Sequence, residues 1–223
     1  MSKSLQTERL FIDGPFGRLE SIIDTSVQRE LAGGAVVCHP HPQHGGTMHN
    51  KVAQSLARAF VACGFSTLRF NFRGVGASDG QYDNGVGELG DALAALEWMR
   101  GHVSHGPLWL AGFSFGAAIA VRAAITSEVS GLVNVAPAIP LLANVLQSQP
   151  GCPWLVIQGD KDEFVAVDDT IDWLNGLDEG PELLVVPDAT HFFHGKLAVV
   201  RKAVQWFVDD GARTHRGPGI SAA

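Results

Sequence analysis

The chain has 223 residues, 46% of them apolar and 17% charged, which suits one sizeable core and excludes a disordered protein. Twenty-three Asp and Glu against sixteen Lys and Arg leave a formal charge of −7, the opposite of a nucleic-acid footprint. Cys38, Cys63 and Cys152 are odd in number and set in apolar runs, so they read as buried thiols of a reducing compartment. The first residues hold no signal-like apolar segment, and no run reaches the roughly 18 apolar residues of a membrane helix. A cytoplasmic protein with no membrane partner is expected.

In chain order, residues 9–12 and 18–24 flank Gly14-Pro15-Phe16-Gly17 and predict an opening hairpin. A short apolar strand over 35–38 precedes a helix over 51–62, with Val52, Leu56, Ala59 and Phe60 at helical spacing and Gly64 closing it. A strand over 66–72 runs into the glycine-rich 73–80. Helices are expected over 88–99, 117–126, 169–177 and 196–208, and strands over 108–112, 132–136, 154–158 and 182–186. Near-continuous Val, Leu, Ile and Ala marks strands covered on both faces. Their alternation with helices predicts a doubly wound, mainly parallel α/β sheet with an antiparallel N-terminal edge. Residues 1–210 read as one domain and 211–223 as a flexible tail.

Gly112-Phe113-Ser114-Phe115-Gly116 is a G-x-S-x-G pattern, weak by itself in a chain with 26 glycines. Its context is stronger, because it ends an apolar strand and opens a helix of small residues. A serine on such a strained turn needs glycines where neighbouring backbone packs close. The plainer reading is an ordinary helix-capping serine.

A serine hydroxyl becomes nucleophilic when an imidazole takes its proton, and a carboxylate must orient that imidazole. Asp160 and Asp162 follow the strand over 154–158; His191 and His194 follow the strand over 182–186. Ends of parallel strands share a crevice, and the chain order Ser114, Asp162, His191 is that of a nucleophile elbow. Asp160, directly after the turn glycine, suits a bond to its own loop backbone. His194 opens the next helix and suits a solvated or capping role. Asp162 and His191 are therefore preferred, the former partly on a family resemblance.

His39, His41, His44 and His49 crowd one loop and raise zinc as an alternative. His39-Pro40-His41-Pro42 is stiff and alternating, so these imidazoles need not converge; no metal or cofactor is expected. Pro40 and Pro42 have no N–H, which leaves the His41 N–H as the donor between them. Paired with the Phe115 N–H after Ser114, it would form an oxyanion hole. The run 70–79 lacks the third glycine of a dinucleotide loop and reads as a structural turn, with Arg73 ion-paired.

With 39–46, 50–52, 69–79, 112–116, 159–165 and 191–195 as its marks, the chain resembles small bacterial α/β-hydrolases carrying His-Pro-His-Pro after the third strand. The resemblance spans about residues 30–208. It implies Ser114 as nucleophile, Asp162 as acid, His191 as base, and esterase or related acyl-hydrolase activity. The superfamily's oxyanion loop usually reads His-Gly, where this chain has His39-Pro40. Residues 137–153 leave room for one short helix around 141–146 and none for a lid domain, so an open site for small-molecule esters is expected. A peptidase, a lactone or dienelactone-type hydrolase, an acyltransferase and a non-catalytic binding module are the competing readings.

Overall fold

Strands of branched apolar residues keep both faces from water only when helices cover both sides, and this requirement shapes the protein. A computed structural model describes residues 5–103, 105–142, 148–178 and 180–214. The strands are β1 (Leu5–Gly14), β2 (Gly17–Ser26), β3 (Gly33–Cys38), β4 (Phe65–Phe70), β5 (Leu108–Phe113), β6 (Gly131–Val135), β7 (Trp154–Gly159) and β8 (Glu182–Val186). The helices are α1 (Lys51–Ala62), α2 (Val86–His102), α3 (Phe115–Thr126), α4 (Val167–Asn175) and α5 (Leu197–Thr214). All eight strands form one sheet in the order β1-β2-β4-β3-β5-β6-β7-β8. Strands β3 to β8 pair in parallel, whereas β1–β2 and β2–β4 are antiparallel.

Every residue of β3 to β7 is buried. Alternate side chains serve the two faces, as a period of two requires. Ala35, Val37, Ala111 and Val133 pack with α1 and α5, while Val36, Leu110, Leu132 and Val156 pack with α2, α3 and α4. Strand β8 is the outer edge, and Leu183 and Val185 are correspondingly exposed.

The expected fold is present, with shifted boundaries. Helix α5 runs through Gly211 to Thr214, past the point where the sequence predicts a flexible tail; the rest of that tail, 215–223, lies outside the described residues. A single 3-10 turn, Ile139–Leu142, occupies the start of the helix expected over 141–146; residues 143–147 lie outside the described ones. Of the cysteines, only Cys38 is fully buried; none of the three forms a disulfide. Among the described residues no helix is long and apolar enough to cross a membrane.

Two features fix the loops and helix start at the sheet's C-terminal edge. The first is a backbone contact. A Cβ on Gly116 would lie 2.3 Å from the His39 carbonyl oxygen, and one on Gly112 would lie 2.2 Å from that of Gly116. The start of α3 thus rests against the ends of β3 and β5 with no room for a side chain.

The second is the imidazole of His39, wholly buried after β3. Its Nε2 accepts the Phe72 N–H at 3.0 Å, so its Nδ1 carries the proton and donates to the Pro40 carbonyl at 2.7 Å. This neutral ring ties the histidine loop to the chain leaving β4. Burial pushes its pKa down to about 4 from 6.5, against the opposing bond to Pro40.

Gly116→Ala is expected to lower the thermal midpoint by roughly 5–10 °C, from overpacking of about 2 kcal/mol or more, as read by circular dichroism. His39 stays neutral in the folded chain at pH values where it protonates in the unfolded one. Its contribution is therefore intact above pH 6.5 and lost as pH falls toward 4, by about 3 kcal/mol in all. Urea midpoints measured across that range should fall less steeply in His39→Gln than in the parent, by about one proton in the slope.

Candidate active site

Ser114 stands between β5 and α3 with φ 56° and ψ −117°, a backbone conformation that a residue with a Cβ rarely adopts. Its neighbours hold it there. The Ser114 N–H donates to the Val135 carbonyl at 2.9 Å, and its own carbonyl accepts from Ala117 and Ala138. Ala136 beside it also has positive φ, 44°. The turn lifts the Ser114 hydroxyl above the sheet edge.

His191 reaches the same point from the loop after β8. Its Nε2 lies 3.1 Å from Ser114 Oγ and its Nδ1 lies 2.8 Å from Asp162 Oδ2, the latter on the loop after β7. The three residues expected to act together are therefore in one line. Asp162 is gripped from several sides. Its Oδ1 accepts the N–H groups of Phe164 and Val165 at 2.9 and 2.8 Å, and its Oδ2 also accepts from Gln158 Nε2 at 3.1 Å. Burial alone would raise this carboxyl. The bonds from His191, Val165 and Phe164 together outweigh it and hold the pKa below the ordinary carboxylate value.

The competing residues fall elsewhere. Asp160 bonds through its N–H to the Val186 carbonyl, and among the described residues its Oδ1 has no hydrogen-bond partner; the loop-bonding role considered for it belongs to Asp162. His194 is exposed and stands 6.0 Å from the Phe192 ring.

The histidine loop divides its imidazoles between several tasks. His39 is the buried tie to Phe72. His41 Nδ1 accepts the Gln43 N–H at 3.2 Å, leaving its Nε2 toward the Tyr82 hydroxyl at 3.2 Å. Its ring stacks on His44 at 4.3 Å and stands 5.0 Å from Phe115. Burial, then the neighbouring His44, lowers its pKa against a smaller pull from Glu88. Among the described residues no three His, Cys, Asp or Glu side chains converge as metal ligands. Neither the His41 N–H nor the Phe115 N–H has a hydrogen-bond partner among the described residues, although both residues line the cleft over Ser114.

Two features go beyond the sequence expectations, and a third supplies the partner of an expected ion pair. Glu163, next to Asp162, accepts the backbone N–H of His191 at 3.1 Å through Oε2. Arg69 Nη1 donates to the Met48 carbonyl and Asn71 Oδ1 accepts the Met48 N–H, both at 2.8 Å, so the run after β4 holds the far end of the histidine loop. Arg73, expected to be ion-paired, meets Asp91 at 2.7 Å; Asp91 also accepts the Arg73 N–H. The alternation Arg69, Asn71, Arg73 with Phe70 and Phe72 is the available signal, since period two separates a polar bracing face from a core face.

The cleft over Ser114 has a volume of about 360 Å³, toward the small end of ligand pockets. His41, His44, Phe115, Leu141, Phe164 and Phe192 give it aromatic and apolar walls, and among the described residues no Asp, Glu, Lys or Arg lines it.

Comparison with known proteins agrees with this geometry. A family model described as serine aminopeptidase, S33, matches residues 41–150, a span that carries Ser114 and the histidine loop from His41 onward. An α/β serine hydrolase homologue from Coxiella burnetii is 44% identical, with a TM-score of 0.85 over 89% of this chain and 96% of that one. A serine hydrolase without a lid from Xanthomonas campestris is 42% identical, with a TM-score of 0.87 over 92% of this chain and 94% of its own. An uncharacterized protein of Rickettsia prowazekii is 35% identical over 207 residues, 88% of this chain and 86% of the relative. Similarity at this level over nearly whole chains, joined to the strained serine at the β5–α3 turn, shows that the chain belongs to the α/β serine hydrolases.

Proposed function

We propose that the protein is a cofactor-free esterase that cleaves small, uncharged carboxylic esters through an acyl-enzyme. The observation that carries this reading is the continuous hydrogen-bonded line from Asp162 through His191 to Ser114 Oγ. With Nδ1–H held by the Asp162 carboxylate, Nε2 presents its lone pair to the serine hydroxyl. Ser114 Oγ attacks the ester carbonyl carbon as its proton passes to His191 Nε2. Collapse breaks the bond to the alcohol oxygen, which leaves with that proton. Water then attacks the acyl-enzyme with His191 again as base, releasing the acid and restoring Ser114. The N–H groups of His41 and Phe115, free of protein partners among the described residues, are the donors assigned to the oxyanion.

The cleft's lining favours an ester over the aminopeptidase chemistry named for the matching family model. An aminopeptidase must bind a cationic amine, and among the described residues no carboxylate lines this cleft. Anionic substrates likewise meet no Lys or Arg among the described lining residues. Only a 3-10 turn is described between β6 and β7, which suits an open site and short, water-soluble esters.

Wild type is expected to hydrolyse p-nitrophenyl acetate and butyrate, with activity declining beyond about eight acyl carbons. Ser114→Ala should lose about 10⁴-fold or more in kcat, and excess chelator should leave wild type unaffected. A Ser114→Ala variant as active as wild type would overturn the reading, and a steep preference for palmitate would overturn the open site.

Glu163 acts as a positioning residue in this scheme, since it holds the backbone of His191 while Asp162 holds the ring. Glu163→Ala should lower kcat about three- to tenfold with little change in KM. Glu163→Gln, which keeps an acceptor oxygen, should recover most of the loss. Equal kcat values for Glu163→Ala and wild type would remove this role.

A further inference from the structure

Phe164 and Phe192 are large aromatic residues left 69% and 38% exposed at the mouth of the cleft. Neither position is dictated by packing needs, since the core beneath is closed by Phe113, Phe193 and Ala189. Both rings stand edge-on to the His191 imidazole, at 5.1 and 5.2 Å between centroids with interplanar angles of 62° and 85°. They face each other at 6.1 Å and 78°. Together they flank the ring that returns the proton to the departing group.

That placement has a chemical meaning. Four groups surround the carbon in the tetrahedral intermediate: Ser114 Oγ, the oxyanion, the acyl substituent and the alcohol oxygen. The alcohol oxygen must lie beside His191 Nε2, the atom that protonates it. Whatever is bonded to that oxygen therefore extends along the His191 side of the cleft, where Phe164 and Phe192 are. The acyl substituent projects elsewhere. An aromatic ring on the alcohol would complete an edge-to-face cluster at centroid spacings of about 4.5–7 Å. The absence of Asp, Glu, Lys and Arg from the described lining fits a neutral ring.

We propose that Phe164 and Phe192 form a leaving-alcohol subsite for an aromatic ring, so that the preferred substrates are esters of aryl and arylalkyl alcohols. This rests on the esterase reading and names the substrate class of the same site.

The test compares benzyl acetate with cyclohexylmethyl acetate, two esters of equal carbon count whose rings differ in π character. In each, one methylene insulates the ring from the reacting oxygen. Steady-state kcat/KM would be measured for wild type, Phe164→Leu, Phe192→Leu and the double variant. Leucine keeps an apolar contact at exposed positions, and thermal melts check that each variant is folded. Methyl phenylacetate and methyl cyclohexylacetate serve as the acyl-side pair, and p-nitrophenyl acetate as the general ester.

The expected result is a benzyl preference of about tenfold in wild type, falling to near one in the double variant, as loss of two ring contacts predicts. The acyl-side ratio should stay constant across all four proteins. A benzyl-to-cyclohexylmethyl ratio that is the same in wild type and the double variant would overturn the subsite while leaving the esterase reading intact. A ratio that moves only for the acyl-side pair would overturn it too, since the rings would then serve the acyl part. No hydrolysis of any ester by wild type, p-nitrophenyl acetate included, would overturn both proposals together.

Discussion

The contact between Gly116 and the carbonyl of His39 is the constraint on which the site is built. With no side chain between them, the first turn of α3 lies directly against the end of β3. That proximity has two consequences. The N–H of Phe115 and the N–H of His41, from segments far apart in sequence, open onto one cleft. Ser114 is also forced to turn sharply, since the chain must leave β5 and enter α3 without spreading them. The strained φ of Ser114 is thus maintained by packing that a methyl group would break.

The histidine loop turns on the His41 carbonyl, which accepts the N–H groups of His44 and Gly46, and its place against the rest of the protein is fixed from outside. His39 binds it to the Phe72 N–H, and Arg69 and Asn71 hold both polar groups of the Met48 residue. These braces are themselves anchored. Arg69 meets Asp24 at 2.8 Å and Asn71 Nδ2 donates to Glu20 Oε2 at 2.8 Å, both acids on β2. The antiparallel edge of the sheet therefore has a part in the site it never touches. Buried charges of this kind add little net stability, because desolvation offsets attraction, but leaving one partner alone is costly. Their effect is to permit a single loop position.

Much of this is legible in the sequence, and the reasons are physical. Apolar runs of strand length alternating with helical periodicity have few solutions other than a covered parallel sheet, so the elements and their order can be read directly. Ser114, Asp162 and His191 can be located because each comes after a strand, and strand ends converge. The hidden part depends on side-chain direction. Nothing in the spelling of His39-Pro40-His41 tells which imidazole is buried and which lines a cleft; that depends on the pleat of β3 and on Phe72, 33 residues away. Glu163 is hidden for a similar reason. Its partner is a backbone N–H, and backbone partners leave no residue type to find. The continuation of α5 beyond Gly211 shows that a single glycine does not end a helix whose earlier turns are packed against α1 and the sheet.

The loop after β7 joins orientation of the base to shape of the cleft. Gln158 Nε2 bonds both Asp162 Oδ2 and the Val165 carbonyl, while Asp162 Oδ1 takes the N–H groups of Phe164 and Val165. The segment from Gln158 to Val165 is thereby closed on itself, and the Lys161 N–H fastens it to the Ala189 carbonyl in the histidine-bearing loop. Gly159 allows that approach, since a Cβ there would lie 2.3 Å from the Ala189 oxygen. The same bonds that prevent the carboxylate from rotating fix the backbone that carries Phe164 outward. Moving the ring's backbone would take hydrogen bonds from Asp162, and turning the carboxylate would release the ring. The orientation of His191 and the aromatic wall beside it are therefore determined by one set of hydrogen bonds, which couples the direction of the base to the shape it offers a substrate.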